Sequence, residues 1–352
     1  MRGRSKPALL ALLASVSIVA WAGEVQKALE LNVTESVEVA NQSAAAMVGL
    51  FECDSGSNVF FMPPGGNGLP DTVVRISSDG SKKTPFRLGA VPEFQKSAIL
   101  AYAVGLDDHI YILTAKPDGD SFVVGFDKEG QLGSVTKLEV PKGAFLRRIA
   151  VSSEGSYFVG GSQQEGENLV RKPLDALFNA HGQMIATVNL MKRQTAAPNL
   201  KASDMPRLSP DQMAKAQSLQ ARVDLSIVRT GADGNFYFSA FDPRGPVLVV
   251  SPSGEVERQF DLIPPKEAGF ELLDLKLSNG RLAVAYQGEP PPGGTAPVRI
   301  DVYDIQTGAK LVSYYHENWR IGVAWACYTP DKFTFISADE QGKMRLVTAS
   351  AR

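Results

Sequence analysis

Ala232-Asp233-Gly234-Asn235-Phe236-Tyr237-Phe238 is a polar turn that feeds an apolar strand, and the chain repeats it. Asp-Gly and Asn-Gly suit two-residue hairpin turns, whose central residues need positive φ. The apolar run that follows fits a buried strand. The same shape recurs at Ser55–Phe61, Leu106–Ile112, Ser153–Val159, Ser278–Val284 and Thr329–Phe335. The first apolar residues after these turns are Val59, Ile110, Tyr157, Phe236, Leu282 and Phe333, with gaps of 51, 47, 79, 46 and 51 residues. A second turn follows in five of the six units, at Asp79-Gly80, Glu129-Gly130, His181-Gly182, Ser253-Gly254 and Thr307-Gly308. Short strands flank each turn, so each unit holds four antiparallel strands.

Six four-stranded units at a period near fifty residues predict a closed all-β ring, a six-bladed β-propeller of four-stranded antiparallel blades. The sixth unit reaches Met344–Thr348 and then runs out of chain before a fourth strand. Leu29–Val39 partly alternates apolar and polar residues and is expected to supply it, hiding the sheet edge that an open array would expose. The long third gap marks an insertion between blades 3 and 4, over residues 191–222. There Ser209 is placed as an N-cap, Pro210 at the first helical position and Gln212 to complete a capping box, with a helix predicted through Ala221. The repeat pattern resembles the NHL-type and TolB-like six-bladed propellers of exported bacterial proteins, over about residues 27–352. That resemblance implies a fold and no particular activity, because the repeats are made of turn and core residues.

Residues 1–22 read as a signal peptide. Arg2, Arg4 and Lys6 precede the uncharged run Leu9–Ala22, and Ala20-Trp21-Ala22 fits the small-x-small cleavage rule. The run is short for a bilayer span. A periplasmic or secreted protein is expected, with residues 23–352 forming one propeller domain and no membrane span. The chain has 36 basic and 38 acidic residues among 352, which gives no argument for nucleic acid. Its 44% hydrophobic content excludes wholesale disorder. Only Cys53 and Cys327 are present, each six residues before the first apolar residue of its unit. They occupy equivalent sequence positions in the first and last blades, which adjoin only in a closed ring. An oxidising compartment then favours a disulfide between them.

Tests for catalytic chemistry are mostly negative. His109 and His181 fall in hairpin turns on one face and His316 on the other, so three histidines cannot converge on one metal ion. Glu52 and Asp54 lie near the inner strand of the first blade, where six-bladed lactonases hold a divalent cation, but the partner signatures are missing. Lys116-Pro117-Asp118-Gly119-Asp120 is too short for a twelve-residue calcium loop. No P-loop, dinucleotide fingerprint or nucleophile elbow occurs. Aromatics ending three blade-to-blade connections, Phe94, Phe145 and Phe270, are expected to pack between blades. In the fifth connection the element becomes Tyr314, Tyr315, His316, Trp319 and Arg320, a composition typical of recognition surfaces. The expected function is a monomeric exported propeller without catalysis, cofactor or metal. It binds a protein, peptide or glycan through the face that carries the insertion and the long loops. The alternative is a metal-assisted, lactonase-like hydrolase at the channel mouth.

Overall fold

A computed structural model describes residues 28–43, 48–64, 69–164, 171–188, 209, 226–239, 245–265, 269–289, 296–316, 324–330 and 332–351. The expected leader at 1–22 and the helix expected at 209–221 lie outside these residues, apart from Ser209, which is exposed. The helical turns among the described residues are two of the 3-10 type, Leu88–Ala90 and Pro92–Phe94.

The chain opens with β1 (Leu29–Ser43). Four antiparallel four-stranded sheets follow. The first holds β2 (Val48–Cys53), β3 (Val59–Met62), β4 (Thr72–Ile76) and β5 (Lys83–Arg87). The second holds β6 (Ala98–Val104), β7 (Ile110–Ala115), β8 (Ser121–Phe126) and β9 (Leu132–Leu138). The third holds β10 (Ala144–Val151), β11 (Tyr157–Gln163), β12 (Lys172–Phe178) and β13 (Met184–Thr187). The fourth holds β14 (Ile227–Thr230), β15 (Phe236–Ser239), β16 (Pro246–Val250) and β17 (Val256–Asp261). The remaining strands are β18 (Glu271–Ser278), β19 (Arg281–Gln287), β20 (Val298–Asp304), β21 (Lys310–His316), β22 (Ala324–Thr329), β23 (Lys332–Ala338) and β24 (Lys343–Ala351). They join β1 in one eight-stranded sheet, ordered β18-β19-β20-β21-β1-β24-β23-β22. The first strands β2, β6, β10, β14, β18 and β22 each touch the next, and β22 touches β2. The result is an all-β, propeller-like ring.

Burial explains the sequence pattern. Middle strands have a sheet on both sides, so all six residues of β8 are buried, whereas most of β9 at the rim is exposed. Each apolar residue that opens a repeat is in the core: Val59, Ile110, Phe236, Leu282 and Phe333 are fully buried and Tyr157 nearly so. Aromatics fill the spaces between sheets. Phe60, Phe86, Phe94 and Phe126 pack between the first and second, and Phe158, Phe236 and Phe238 between the third and fourth. Phe145 does not pack as expected. It is exposed and the Arg171 guanidinium stacks 3.8 Å from its ring centre. A polar partner at the strand end satisfies that ring in place of a neighbouring sheet.

A single device seals most junctions between sheets. The turn between third and fourth strands carries a glycine at positive φ, pressed against the fourth strand of the preceding sheet. A Cβ on Gly130 would meet Pro85 O of β5 at 3.2 Å, on Gly182 Lys137 O of β9 at 1.9 Å, and on Gly254 Ala186 of β13 at 2.8 Å. On Gly308 it would meet Phe260 of β17 at 2.5 Å. Gly80 presses in the same way on Val37 and Glu38, which belong to β1. β1 therefore fills the place of a fourth strand beside β24, paired antiparallel from Leu31 with Ala351 to Glu38 with Arg345. Its first residues do something the repeat does not foretell. Leu29 and Glu30 pair in parallel with Tyr314 and Tyr315 of β21. They cover the edge that has no following third-to-fourth turn to meet it.

Candidate functional site at the ring axis

The first strands carry charges in otherwise apolar runs, and those charges meet at the axis. Bulges in β10, β18 and β22 fall just before Arg148, Asp274 and Cys327. A bulge re-aims the side chain that follows it. Arg229 of β14 reaches Glu52 of β2, with Nη1 2.9 Å from Oε1. These strands are three places apart among six, on opposite sides of the ring. The Arg229 guanidinium also donates from Nη2 to Asp274 Oδ1 at 2.7 Å, from Nε to Leu275 O and from Nη1 to Val228 O, both at 3.0 Å. Lys276 lies 2.9 Å from Asp274 Oδ2 and donates to Phe51 O. All four side chains are largely buried, the cations at 9% and 7% exposure. Burial works against the charge on Arg229, yet Asp274 and Glu52 outweigh it and hold its proton more tightly than usual. Tyr102 stands beside the cluster and donates to Phe60 O at 2.7 Å; burial, and then Glu52, push its hydroxyl far above the ordinary range.

A second buried pair lies in the third sheet. Arg148 Nη2 is 3.0 Å from Asp175 Oδ1. It crosses Gly160, where a Cβ would lie 2.6 Å from Arg148 Nε. Burial raises the Asp175 carboxyl, and Arg148 opposes that shift.

Above the axial cluster is a cavity of about 240 Å³. Its floor includes Glu52, Arg229 and Lys276, its walls Val104, Leu277 and Tyr328, and its rim Ser57 and Asp108 of the first hairpin turns. It opens at the ends toward which the first strands run, away from the face of the expected insertion. Cys53 and Cys327 line it and are joined by a disulfide, with Cα atoms 5.6 Å apart. Their registers are not equivalent. Cys53 pairs with Val59, but Cys327 pairs with Thr334, because Tyr328 takes the place opposite Phe333. The turn after β22 is one residue shorter, which offsets the equal spacing in sequence.

The residues weighed for catalysis are engaged elsewhere. Glu52 faces Arg229, and Asp54 accepts from Gly56 N at 3.0 Å, Asn58 N at 2.9 Å and Asn58 Nδ2 at 2.8 Å. Asp118 caps its own turn through Asp120 N, and Asp120 pairs with Lys137. His109 sits beside Asp107 at 3.1 Å, in a first hairpin turn. Among the described residues no group of three His, Cys, Asp or Glu is placed to hold a metal. None of the described helices is long and apolar enough to cross a membrane. Of the expected recognition surface, Tyr314 is buried and packs edge-on against Phe333 at 4.9 Å between ring centres, while Tyr315 and His316 are half-buried. Trp319 and Arg320 lie outside the described residues. Sequence reasoning missed Arg229, Asp274 and Lys276. Their signal was charge within inner strands, as in Ile227-Val228-Arg229-Thr230.

No protein-family model matches the chain. No curated protein matches it either. Solved structures do. A Bacteroides thetaiotaomicron protein of unknown function is 14% identical, with a TM-score of 0.51 over 92% of this chain and 76% of that one. YCF48 bound to D1 peptide is 11% identical, with a TM-score of 0.42 over 93% and 98%. The Dos1 propeller is 10% identical, with a TM-score of 0.41 over 93% and 95%. At such identity the first likeness concerns the fold alone, and the two below 0.5 carry no argument about this chain.

Proposed function

We propose that the chain is an exported six-bladed propeller that binds a protein, peptide or glycan through its loop-bearing face, without catalysis. In this reading the eight-stranded sheet is two blades, β18–β21 and β22–β24 with β1, joined by the two parallel pairs at Leu29 and Glu30. The glycine contacts support it, since β1 meets Gly80 as β5, β9, β13 and β17 meet the turns that follow them. Export rests on the leader at 1–22, and an oxidising compartment is the one in which a bridge between Cys53 and Cys327 persists.

The observation that counts against the enzymatic alternative, and so carries the non-catalytic reading, is the pairing of Glu52 with Arg229 at the axis. A lactonase-like enzyme needs that region for a divalent cation. Here an arginine and a lysine already neutralise Glu52 and Asp274, and a third positive charge would be repelled. The two most exposed large apolar side chains among the described residues, Leu69 at 63% and Ile263 at 58%, sit on loops of the proposed binding face. Exposed apolar groups on loops over a rigid scaffold suit recognition. Tyr315, His316, Trp319 and Arg320 are assigned to the same face, with buried Tyr314 supporting them.

The test is a pull-down from periplasmic extract, joined to a glycan array. Replacing Trp319 and Arg320 with alanine should abolish capture of a partner while leaving the far-ultraviolet circular dichroism unchanged. A footprint confined to the His109 and His181 face, or lactone hydrolysis that depends on a divalent cation, would refute the assignment.

A further inference from the structure

The cavity beneath the first hairpin turns has chemistry that the proposed binding face does not use. We infer that it is a binding site for a single neutral sugar ring or a polyol of that size. This inference does not depend on the recognition surface proposed on the opposite face.

The floor sets the ligand's charge. Arg229 and Lys276 are balanced by Glu52 and Asp274, so the floor itself attracts neither an anion nor a cation, and the rim carboxylates Asp54 and Asp108 are already taken up by Gly56 and Asn58 and by Ser55. A neutral ligand enters without unbalancing that cluster. The floor also has bonding capacity left. A guanidinium carries five N–H groups and an ammonium three. Among the described residues the contacts engage four on Arg229, which leaves one N–H there, and two on Lys276, whose ammonium also stands 5.9 Å from the Trp325 ring centre. Charged donors and acceptors side by side suit hydroxyl groups, which donate and accept at once.

The rim and walls fit the same ligand. Ser57, Thr230 and Ser278 place small polar side chains on the lining, and Asp54 and Asp108 add carboxylates. Val104, Leu106 and Leu277 give an apolar strip against which the C–H face of a ring can lie. The volume of about 240 Å³ equals the liquid volume of about eight waters. That admits one sugar ring. Ser57 and Asp108, at φ 60° and 61°, stand where the next three hairpin turns use Gly155, Gly234 and Gly280 at positive φ. Side chains are thus kept in a costly conformation in these two turns, and a third is kept so at Asn279, φ 48°, beside Ser278 of the lining.

The experiment is calorimetric titration of the mature protein with D-glucose, D-galactose, D-mannose and N-acetyl-D-glucosamine. Glucuronate and lysine serve as charged probes. At least one neutral sugar is expected to bind saturably. Ser278→Phe, which fills the cavity without touching the ion cluster, should weaken that binding at least about tenfold. Thr230→Val, which removes one hydroxyl, should weaken it by a smaller factor, and Tyr315→Ala on the other face should leave it unchanged. Circular dichroism of each variant checks the fold, and Thr230→Val keeps the test informative where Ser278→Phe misfolds. No saturable binding by the four sugars, binding of glucuronate or lysine alone, or sugar binding indifferent to both cavity variants would each overturn the inference.

Discussion

Two kinds of junction hold the ring together. Between β17 and the turn before β21, Gly308 presses on Phe260, and similar turns close the other regular junctions. Between β21 and β24 there is no such turn, and the chain's first strand lies between them instead, parallel to one and antiparallel to the other. The turn junctions are local consequences of each repeat. The strand junction depends on residues from the far end of the chain, and the disulfide joins first strands of the same two chain ends. Closure is therefore concentrated where the repeats run out.

Deleting residues 28–40 attacks the strand junction and should have the largest effect. It removes buried Leu31 and Val39 and bares the edges of β21 and β24. A loss of at least about 4 kcal/mol in urea unfolding is expected. A truncated protein that melts within a degree or two of its parent would show that β1 is dispensable.

Replacing Cys53 and Cys327 with serine removes a link over a sequence separation of 274 residues. Chain entropy puts the upper bound of its contribution at about 5.6 kcal/mol, and β1 keeps part of it by holding the same chain ends together. Two free thiols in the unfolded, unreduced mature protein would mean that the bond is absent.

The turn junctions should respond by smaller amounts. Gly182→Ala meets both a positive φ of 78° and the Lys137 carbonyl, whereas Gly280→Ala meets a φ of 70° with nothing within 4 Å. The second should cost about 1–2 kcal/mol, the price of a left-handed residue. The first should cost more, because backbone must move. Equal losses in thermal unfolding would mean that the glycine contacts do not seal the ring.

The smallest effect concerns pH. Asp79, beside Gly80, is lowered from 3.8 to about 2 by hydrogen bonds from the Ser77 side chain and then from Ser81. A carboxylate with a depressed folded value contributes stability that is present above its unfolded value. That contribution fades as pH falls through about 2. Asp79→Asn should flatten the stability curve slightly between about pH 4 and pH 2. A nuclear magnetic resonance titration of Asp79 centred near 4 would contradict this.

The sequence revealed the repeats because each needs a turn glycine and a buried apolar residue at fixed spacing. It also indicated the role of β1, through the strand missing after β24. It did not reveal the parallel pairs with Tyr314 and Tyr315, since no repeat contains such a contact. The axial cluster was hidden for another reason. Glu52 resembles a metal ligand until Arg229 arrives from the opposite side of the ring, and only the closed fold brings the two together. Equal spacing before Val59 and Phe333 pointed to Cys53 and Cys327, but the shorter last turn sets their registers one residue apart.

Closure of the ring by its own N-terminal strand is the central claim, and native-state hydrogen exchange tests it most directly. Amides of Val33–Glu38 and of β24 should exchange together, only through global unfolding, with the same free energy as β8 and β19. Exchange in β1 faster by about a hundredfold or more, while β8 and β19 stay protected, would contradict the account.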